Sequence, residues 1–272
     1  MLNVHIFYLL LSPKMNNRPL ILIANDDGYR SGGLQALIKA ARPYGDLLVV
    51  APIEGQSGMS HAITVKLPLR VEKHIEEPGF TLYVCNGTPV DCVKIALNKL
   101  VDRHPGLLLT GINHGGNSSA SVLYSGTMAA AIEGCMYHIP AIGLSLLDHS
   151  PKADFTPYIG LIQRMIENIL KNGMSQGTCL NVNIPKIPVD DIRGIRVCRQ
   201  ARGYWMEEFE HRIDPNDREY YWLTGDFFNE EPNAADTDEW ALKHHYISVV
   251  PVQIDMTCYK SMEKLKMMFE SG

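Results

Sequence analysis

No two of the six cysteines are spaced as a CxxC pair, so a structural zinc site built on paired thiolates is not expected. Cys85, Cys92, Cys135, Cys179, Cys198 and Cys258 sit in apolar surroundings instead. That is the usual setting of buried reduced thiols, and it points to a reducing, cytoplasmic location. A basic stripe is also missing, and the net charge is −5. Polymeric nucleic acid is therefore not expected as a main partner. A small phosphorylated ligand stays compatible, because one site needs only local positive charge. No apolar run reaches membrane length, so no membrane partner is expected. The run Ile6–Leu11 is short and lacks both a basic start and a small-residue cleavage site, which makes it a poor signal peptide. Neither GxxxxGK[ST] nor GxGxxG occurs, which excludes the P-loop and the dinucleotide fingerprint. There is no internal repeat and no low-complexity segment.

What is present is an ordinary globular composition, 272 residues with 46% apolar, enough for one large α/β domain with an appendage. Leu20–Ala24, Leu47–Ala51, Leu82–Cys85, Leu107–Thr110, Ala141–Ser145 and Cys179–Ile184 are short continuous apolar runs. Such runs suit strands buried on both faces. Helical patterns lie between them. Leu34, Leu37, Ile38 and Ala41 follow the i, i+3, i+4, i+7 spacing, and Ile159, Ile162, Ile166 and Ile169 repeat it. The alternation predicts an α/β fold with a mainly parallel sheet and helices on both faces. After Pro188 the character changes. Eight aromatic residues fall within 204–228, mixed with many charges, which predicts an extended hairpin or arm that packs on something. Ile247–Val252 reads as a late strand and Met262–Phe269 as a weak terminal helix. The expected division is an N-terminal extension at 1–17, a catalytic domain at 18–190, and an arm and oligomerisation region at 191–272. Met15 stands just before the first convincing strand, and is either the natural start or part of a loose tail.

In parallel sheets the ligand sits at the carboxyl ends of the strands, and four strand ends carry unusual chemistry. Asn25-Asp26-Asp27-Gly28 follows the first strand. Two adjacent carboxylates repel, so one takes up a proton or a cation neutralises the pair. Hard dications such as Mg²⁺ and Mn²⁺ prefer such oxygens; a solvated turn is the alternative reading. Ser57, in Glu54-Gly55-Gln56-Ser57-Gly58 after the second strand, offers either a neutral oxygen near a metal or a plain surface loop. Thr88, Pro89 and Asp91 read as a helix start with a capping box, with a binding role for Asn86-Gly87 secondary. The fourth strand end is the richest. Gly111-Ile112-Asn113-His114-Gly115-Gly116-Asn117 is followed by Ser125-Gly126-Thr127 and an Ala-rich helix. A glycine-rich loop and a helix N-terminus together make a phosphate cradle. His114, an exposed loop histidine with no visible partner, reads as a bystander.

These stretches resemble the SurE family, the survival-protein phosphatases. They are NDDG (25–28), APIEGQSG (51–58), NGTPVDCV (86–93), GINHGGN (111–117), YSGTMAAAIEG (124–134), DPNDREYYWLTG (214–225) and TDEWALKHHYISVVPV (237–252). The resemblance runs from about Leu20 to about Val252, and the motifs in this order are highly specific. It implies a Rossmann-like domain with a C-terminal arm exchanged between subunits, hence a homodimer or homotetramer. It implies a metal-dependent phosphomonoesterase acting on nucleoside 5′-monophosphates, often 3′-monophosphates, and sometimes short polyphosphate. Carried over, Asp26, Asp27, Ser57 and Asn113 hold the metal. Thr110 stands where serine is common, Met128 replaces a usual valine, and the charge-dense stretch 207–212 matches more loosely.

The two readings agree on Asp26 and Asp27 as catalytic residues, with Asn117, Ser125, Gly126 and Thr127 holding the substrate phosphate. The cofactor expected is Mg²⁺ or Mn²⁺. Whether an Asp acts as base or nucleophile stays open. A haloacid-dehalogenase-type phosphatase would want DxDx[TV] after the first strand, whereas these carboxylates are adjacent. A non-enzymatic nucleotide sensor using the same pocket is the other rival. The arm is expected against a neighbouring subunit, with a lid over the site of its own chain as the alternative.

Overall fold

A computed structural model describes residues 18–206 and 208–270; the proposed extension at 1–17 lies outside them. β1 (Leu20–Ala24), β2 (Asp46–Pro52), β4 (Phe80–Cys85), β5 (Leu107–His114), β6 (Ala141–Leu146) and β7 (Thr178–Ile184) are the six apolar runs seen in the sequence. All six pair in parallel, in the order β4-β2-β1-β5-β6-β7. This is the doubly wound Rossmann-like order. The chain builds outward from β1, then crosses back to start β5 on the other side. Its switch point therefore lies between the carboxyl ends of β1 and β5, where such sheets bind ligands.

Three further strands extend the sheet to nine. β3 (Val71–Glu77) pairs antiparallel with β4 at one edge. At the other edge β13 (Ile247–Gln253) pairs antiparallel with β7 and in parallel with β8 (Ile195–Val197). The sheet thus draws strands from both sides of residue 190.

Helices cover both faces. α1 (Gly32–Ala41) and α4 (Ile159–Asn172) bury Leu34, Leu37, Ile38, Ile162 and Ile166 against Ile21, Ile23 and Leu109. α2 (Pro89–Ile95) and α3 (Gly126–Met136) bury Cys92, Val93, Met128 and Ala130 against Leu22, Val50 and Leu108. Alternate residues of β1 thus serve opposite layers, which is why the run is apolar without a break. Each such aliphatic side chain contributes roughly 1.5–3 kcal/mol of burial. The sequence-derived cap of α2 is present: the Thr88 hydroxyl accepts from Asp91 N–H, and the Asp91 carboxylate accepts from Thr88 N–H.

The aromatic region is an interrupted hairpin. β9 (Gly203–Met206) pairs with β12 (Asp226–Asn229), and β10 (Phe209–Ile213) with β11 (Glu219–Leu223), both antiparallel. α5 (Asp238–Lys243) then leads back to the sheet, and α6 (Tyr259–Phe269) ends the described chain with no residue buried. Among the described residues every cysteine is a free thiol, and no helix is long and apolar enough to cross a membrane.

Candidate active site

The NDDG turn directly follows β1 and is braced from within. Asn25 Nδ2 donates to the Gly28 carbonyl and to the Ser31 hydroxyl, both at 2.9 Å. Ser31 caps α1, so the turn is tied to the first helix. Nothing in the local sequence singles out Asn25; the bracing is visible only in three dimensions. Asp26 is buried and Asp27 half-buried. Gln56 N–H donates to the Asp26 carbonyl at 2.6 Å, which draws the loop carrying Ser57 beside the turn.

From the other side of the switch point, β5 delivers Asn113 and His114. Its register with β6 shifts between Thr110 and Asn113. Gly111 sits there at φ +111°, where a Cβ would lie 2.3 Å from the Leu144 carbonyl oxygen. Only glycine fits so close a backbone approach. His114 N–H donates to Asp27 Oδ2 at 3.2 Å. Asn113 Nδ2 donates to the Gly115 carbonyl at 2.8 Å, which commits the amide nitrogen and leaves the oxygen as the available donor atom.

α3 completes the cluster. Ser125 is its N-cap, its hydroxyl accepting from Met128 N–H at 3.0 Å. At Gly126 an added Cβ would come within 2.9 Å of Asp26 Cβ, so glycine lets the helix start press against the carboxylate. The Thr127 hydroxyl donates to Asp26 Oδ1, and the Thr127 carbonyl accepts from the Thr110 hydroxyl at 2.8 Å.

Asn117 is held by a polar network that the sequence reading did not single out. Its N–H donates to Asn183 Oδ1 at 2.7 Å, its Nδ2 to Ser145 Oγ at 2.8 Å, and Asn181 Nδ2 donates to its carbonyl at 2.8 Å. The signal was available: two asparagines spaced two apart in the apolar run Cys179–Ile184 share one strand face. Asp238 is a second unseen brace. Its buried carboxylate accepts from Ser119 N–H at 2.8 Å and Ala201 N–H at 2.9 Å. It thereby ties the loop before α3 to the entry of the arm.

Asp26, Ser57, Asn113, Asn117 and Ser125 line one cavity of about 610 Å³, within the range of small-ligand sites. Asp27 is not among the lining residues and accepts from the His114 backbone N–H. Thr127 is fully buried, and its hydroxyl meets Asp26 rather than the cavity. His114 lines the cavity and has partners after all. Its Nδ1 faces the Ser150 carbonyl at 3.1 Å, and its ring meets Phe155 edge-on at 4.9 Å. Trp205, Glu208, Leu223, Thr224 and Gly225, from the base of the arm, form the remaining wall. No local pattern in the sequence pointed to them. The base of the arm therefore lies over the site of its own chain, while its tip stays exposed.

Burial raises the Asp26 pKa from 3.8 to about 6, and the neighbouring Asp27 charge adds to this; the Thr127 hydrogen bond opposes it. Burial also raises Asp27, against the His114 N–H that stabilises its charge. A pair of partly desolvated neighbouring carboxylates that repel each other favours a cation between them. The donor set fits a hard dication: two carboxylates, a hydroxyl and an amide oxygen. Among the described residues no group of three or more His, Cys, Asp or Glu side chains gathers into a metal-binding cluster.

The family model described as Survival protein SurE matches residues 21–207. A 5′-nucleotidase SurE of Christiangramia forsetii is 50% identical over 250 residues, covering 91% of this chain and 96% of the relative. One of Phocaeicola vulgatus is 48% identical over 249 residues, covering 92% and 96%. The crystal structure of the SurE protein from Aquifex aeolicus superposes with a TM-score of 0.79 at 34% identity, over 92% of this chain and 99% of that one. On its motifs, its fold and these relatives, the chain belongs to the SurE family.

Proposed function

We propose that the chain is a divalent-cation-dependent phosphomonoesterase that hydrolyses nucleoside 5′-monophosphates to nucleoside and phosphate, with 3′-monophosphates and short polyphosphate as further substrates. The relatives named 5′-nucleotidase support the activity. The observation that carries the cation dependence is the charge of the cavity. Asp26 and Glu208 line it, and among the described residues no lysine or arginine does. A phosphate dianion entering such a wall meets repulsion unless a cation stands between.

Asp26, Asp27, Ser57 and Asn113 are the residues proposed to hold Mg²⁺ or Mn²⁺. Bound there, the ion would supply a Lewis acid for the phosphoryl oxygens and lower the pKa of a water. The chain's own groups do the rest. Thr127 holds Asp26 toward its charged form and fixes its rotamer. Ser125, Gly126 and Asn117 orient the phosphate, with the positive end of α3 behind them. In-line attack then needs positioning and charge neutralisation more than covalent chemistry.

In this reading residues 18–190 carry the chemistry, and 191–272 supply the arm and the contacts of a homodimer or homotetramer. The free thiols fit a reducing cytoplasm. The test is phosphate release from a panel of nucleoside 5′- and 3′-monophosphates with Mg²⁺ or Mn²⁺, with and without chelator. Turnover that needs the cation is expected. Binding without turnover would make the chain a nucleotide sensor instead, and a trapped phosphoaspartate would revive a dehalogenase-type mechanism.

A further inference from the structure

The hairpin arm is interrupted where it faces the cavity. Phe209 pairs with Leu223 and Met206 with Asp226. Between these pairs, Glu208 on one strand and Thr224-Gly225 on the other lie outside the regular ladder. Gly225 turns there at φ +113°, and Thr224 N–H closes on the Glu208 carbonyl at 2.6 Å. Glu208, Leu223, Thr224 and Gly225 line the same cavity as Asp26, together with Trp205 just before the break. Trp205 is steadied from behind by its cross-strand partner Phe227, edge-on at 5.9 Å. The Glu208 carboxylate has no hydrogen bond or ion pair among the described residues.

This wall has the wrong chemistry for a phosphate and the right chemistry for what a nucleotide carries on its other side. Glu208 repels the phosphate, which sorts that group toward α3 and the two aspartates. A free carboxylate accepts hydrogen bonds from a vicinal diol. An indole face stacks on any nucleobase, whatever its sequence identity. We propose that Trp205 and Glu208, at the base of the arm, form the nucleoside subsite of this cavity, with Trp205 against the base and Glu208 on the ribose hydroxyls. The inference rests on the phosphatase reading for its substrate class and deepens it. It makes the arm a specificity element of its own chain, separate from any role of its tip in assembly.

The test compares kcat/KM for AMP, 2′-deoxy-AMP and ribose 5-phosphate in wild type, Trp205→Ala, Trp205→Phe and Glu208→Gln. Trp205→Ala is expected to lower the ratio of AMP to ribose 5-phosphate roughly ten- to hundredfold, through KM rather than kcat, as loss of a base stack does. Trp205→Phe, which keeps an aromatic face, is expected to restore most of that ratio. Glu208→Gln is expected to bring AMP and 2′-deoxy-AMP toward equal efficiency. Ratios unchanged in both Trp205→Ala and Glu208→Gln overturn the subsite. If the wild type turns over none of these esters, the phosphatase reading fails by itself. Calorimetric binding of adenosine, which needs no phosphoryl chemistry, then decides the subsite: weaker binding in Trp205→Ala supports it, and equal binding overturns it.

Discussion

Thr127 donates its hydroxyl proton to Asp26 Oδ1 across 101 residues of sequence. Asp26 lies in the turn after the first strand and Thr127 in the first turn of α3, so this bond fastens the helix start to the turn at the switch point. It also holds Asp26 toward its charged form against burial and the Asp27 charge. Thr127→Val keeps the shape and removes the donor. Losing a hydrogen bond to a charged group costs about 1.5–3 kcal/mol, roughly ten- to hundredfold. Calorimetry with Mn²⁺ at neutral pH is expected to show weaker binding by about that factor. The acidic limb of the pH–rate profile is expected to move to higher pH, because the Asp26 pKa rises further. Unchanged affinity with an unmoved limb would detach Thr127 from the site.

The raised pKa of Asp26 also makes a statement about stability. The folded chain without metal keeps a proton on Asp26 up to about pH 6, whereas the unfolded chain loses it near 3.8. Metal-free stability is therefore fullest below pH 3.8 as far as this group is concerned, and is lost as pH rises through 6. A carboxyl displaced that far is worth roughly 3 kcal/mol against the ionised state. At pH 7.5 in chelator, Asp26→Asn is expected to raise Tm, since it removes a buried charge. Added Mn²⁺ is expected to raise the Tm of wild type and leave the variant unmoved. A variant whose Tm falls in chelator would contradict this account of Asp26.

Ser125 serves both as a helix cap and as a wall of the cavity. Two substitutions separate the roles. Ser125→Ala loses the cap, at about 0.5–2 kcal/mol of stability, whereas Ser125→Gly gives up only a few tenths. Both lack the hydroxyl, so both are expected to lose turnover to a similar degree, with Mn²⁺ binding retained. Urea unfolding and steady-state kinetics on the pair check this. If turnover follows stability instead, Ser125 acts only as a cap.

The tip of the arm exposes one apolar face. Phe209 is 64% exposed, Tyr221 59% and Ile213 59%, and their register puts them, beside the His211–Glu219 pair, on the same side of the β10–β11 ladder. An isolated two-stranded hairpin is marginal, so this face is expected to pack on a second copy, in a dimer or a pair of dimers. Light scattering at micromolar concentration should give at least twice the chain mass. Phe209→Asp with Tyr221→Asp should lower it. A wild-type monomer would sink this assembly.

Much of this was legible before the structure, for physical reasons. The six central strands are buried on both faces and so read as unbroken apolar runs. The capping box at Thr88 and Asp91 is local and needs three residues of chain. Edge strands were harder. Val71–Glu77 carries four acidic or basic side chains and is mostly exposed, so it has no apolar signature. The site split the same way. Asp26 and Asp27 stand out as adjacent carboxylates at a strand end, whereas Ser57 and Asn113 are marked as ligands only by the resemblance. Trp205 and Glu208 reach the cavity only because β9 and the break after it fold back over it. Asp238 acts by bracing backbone far away in sequence. Such contacts leave no periodicity to read.

The central claim is that a dication held at Asp26 and Asp27 makes this cavity a phosphatase. Phosphate release from AMP, followed during Mn²⁺ titration for wild type, Asp26→Asn and Asp27→Asn, tests it most directly. The expected result is saturable, chelator-sensitive turnover in wild type and near loss of turnover in each variant, with Mn²⁺ affinity falling in step. Near-normal turnover by either variant at saturating Mn²⁺, or wild-type turnover that survives excess chelator, would contradict it.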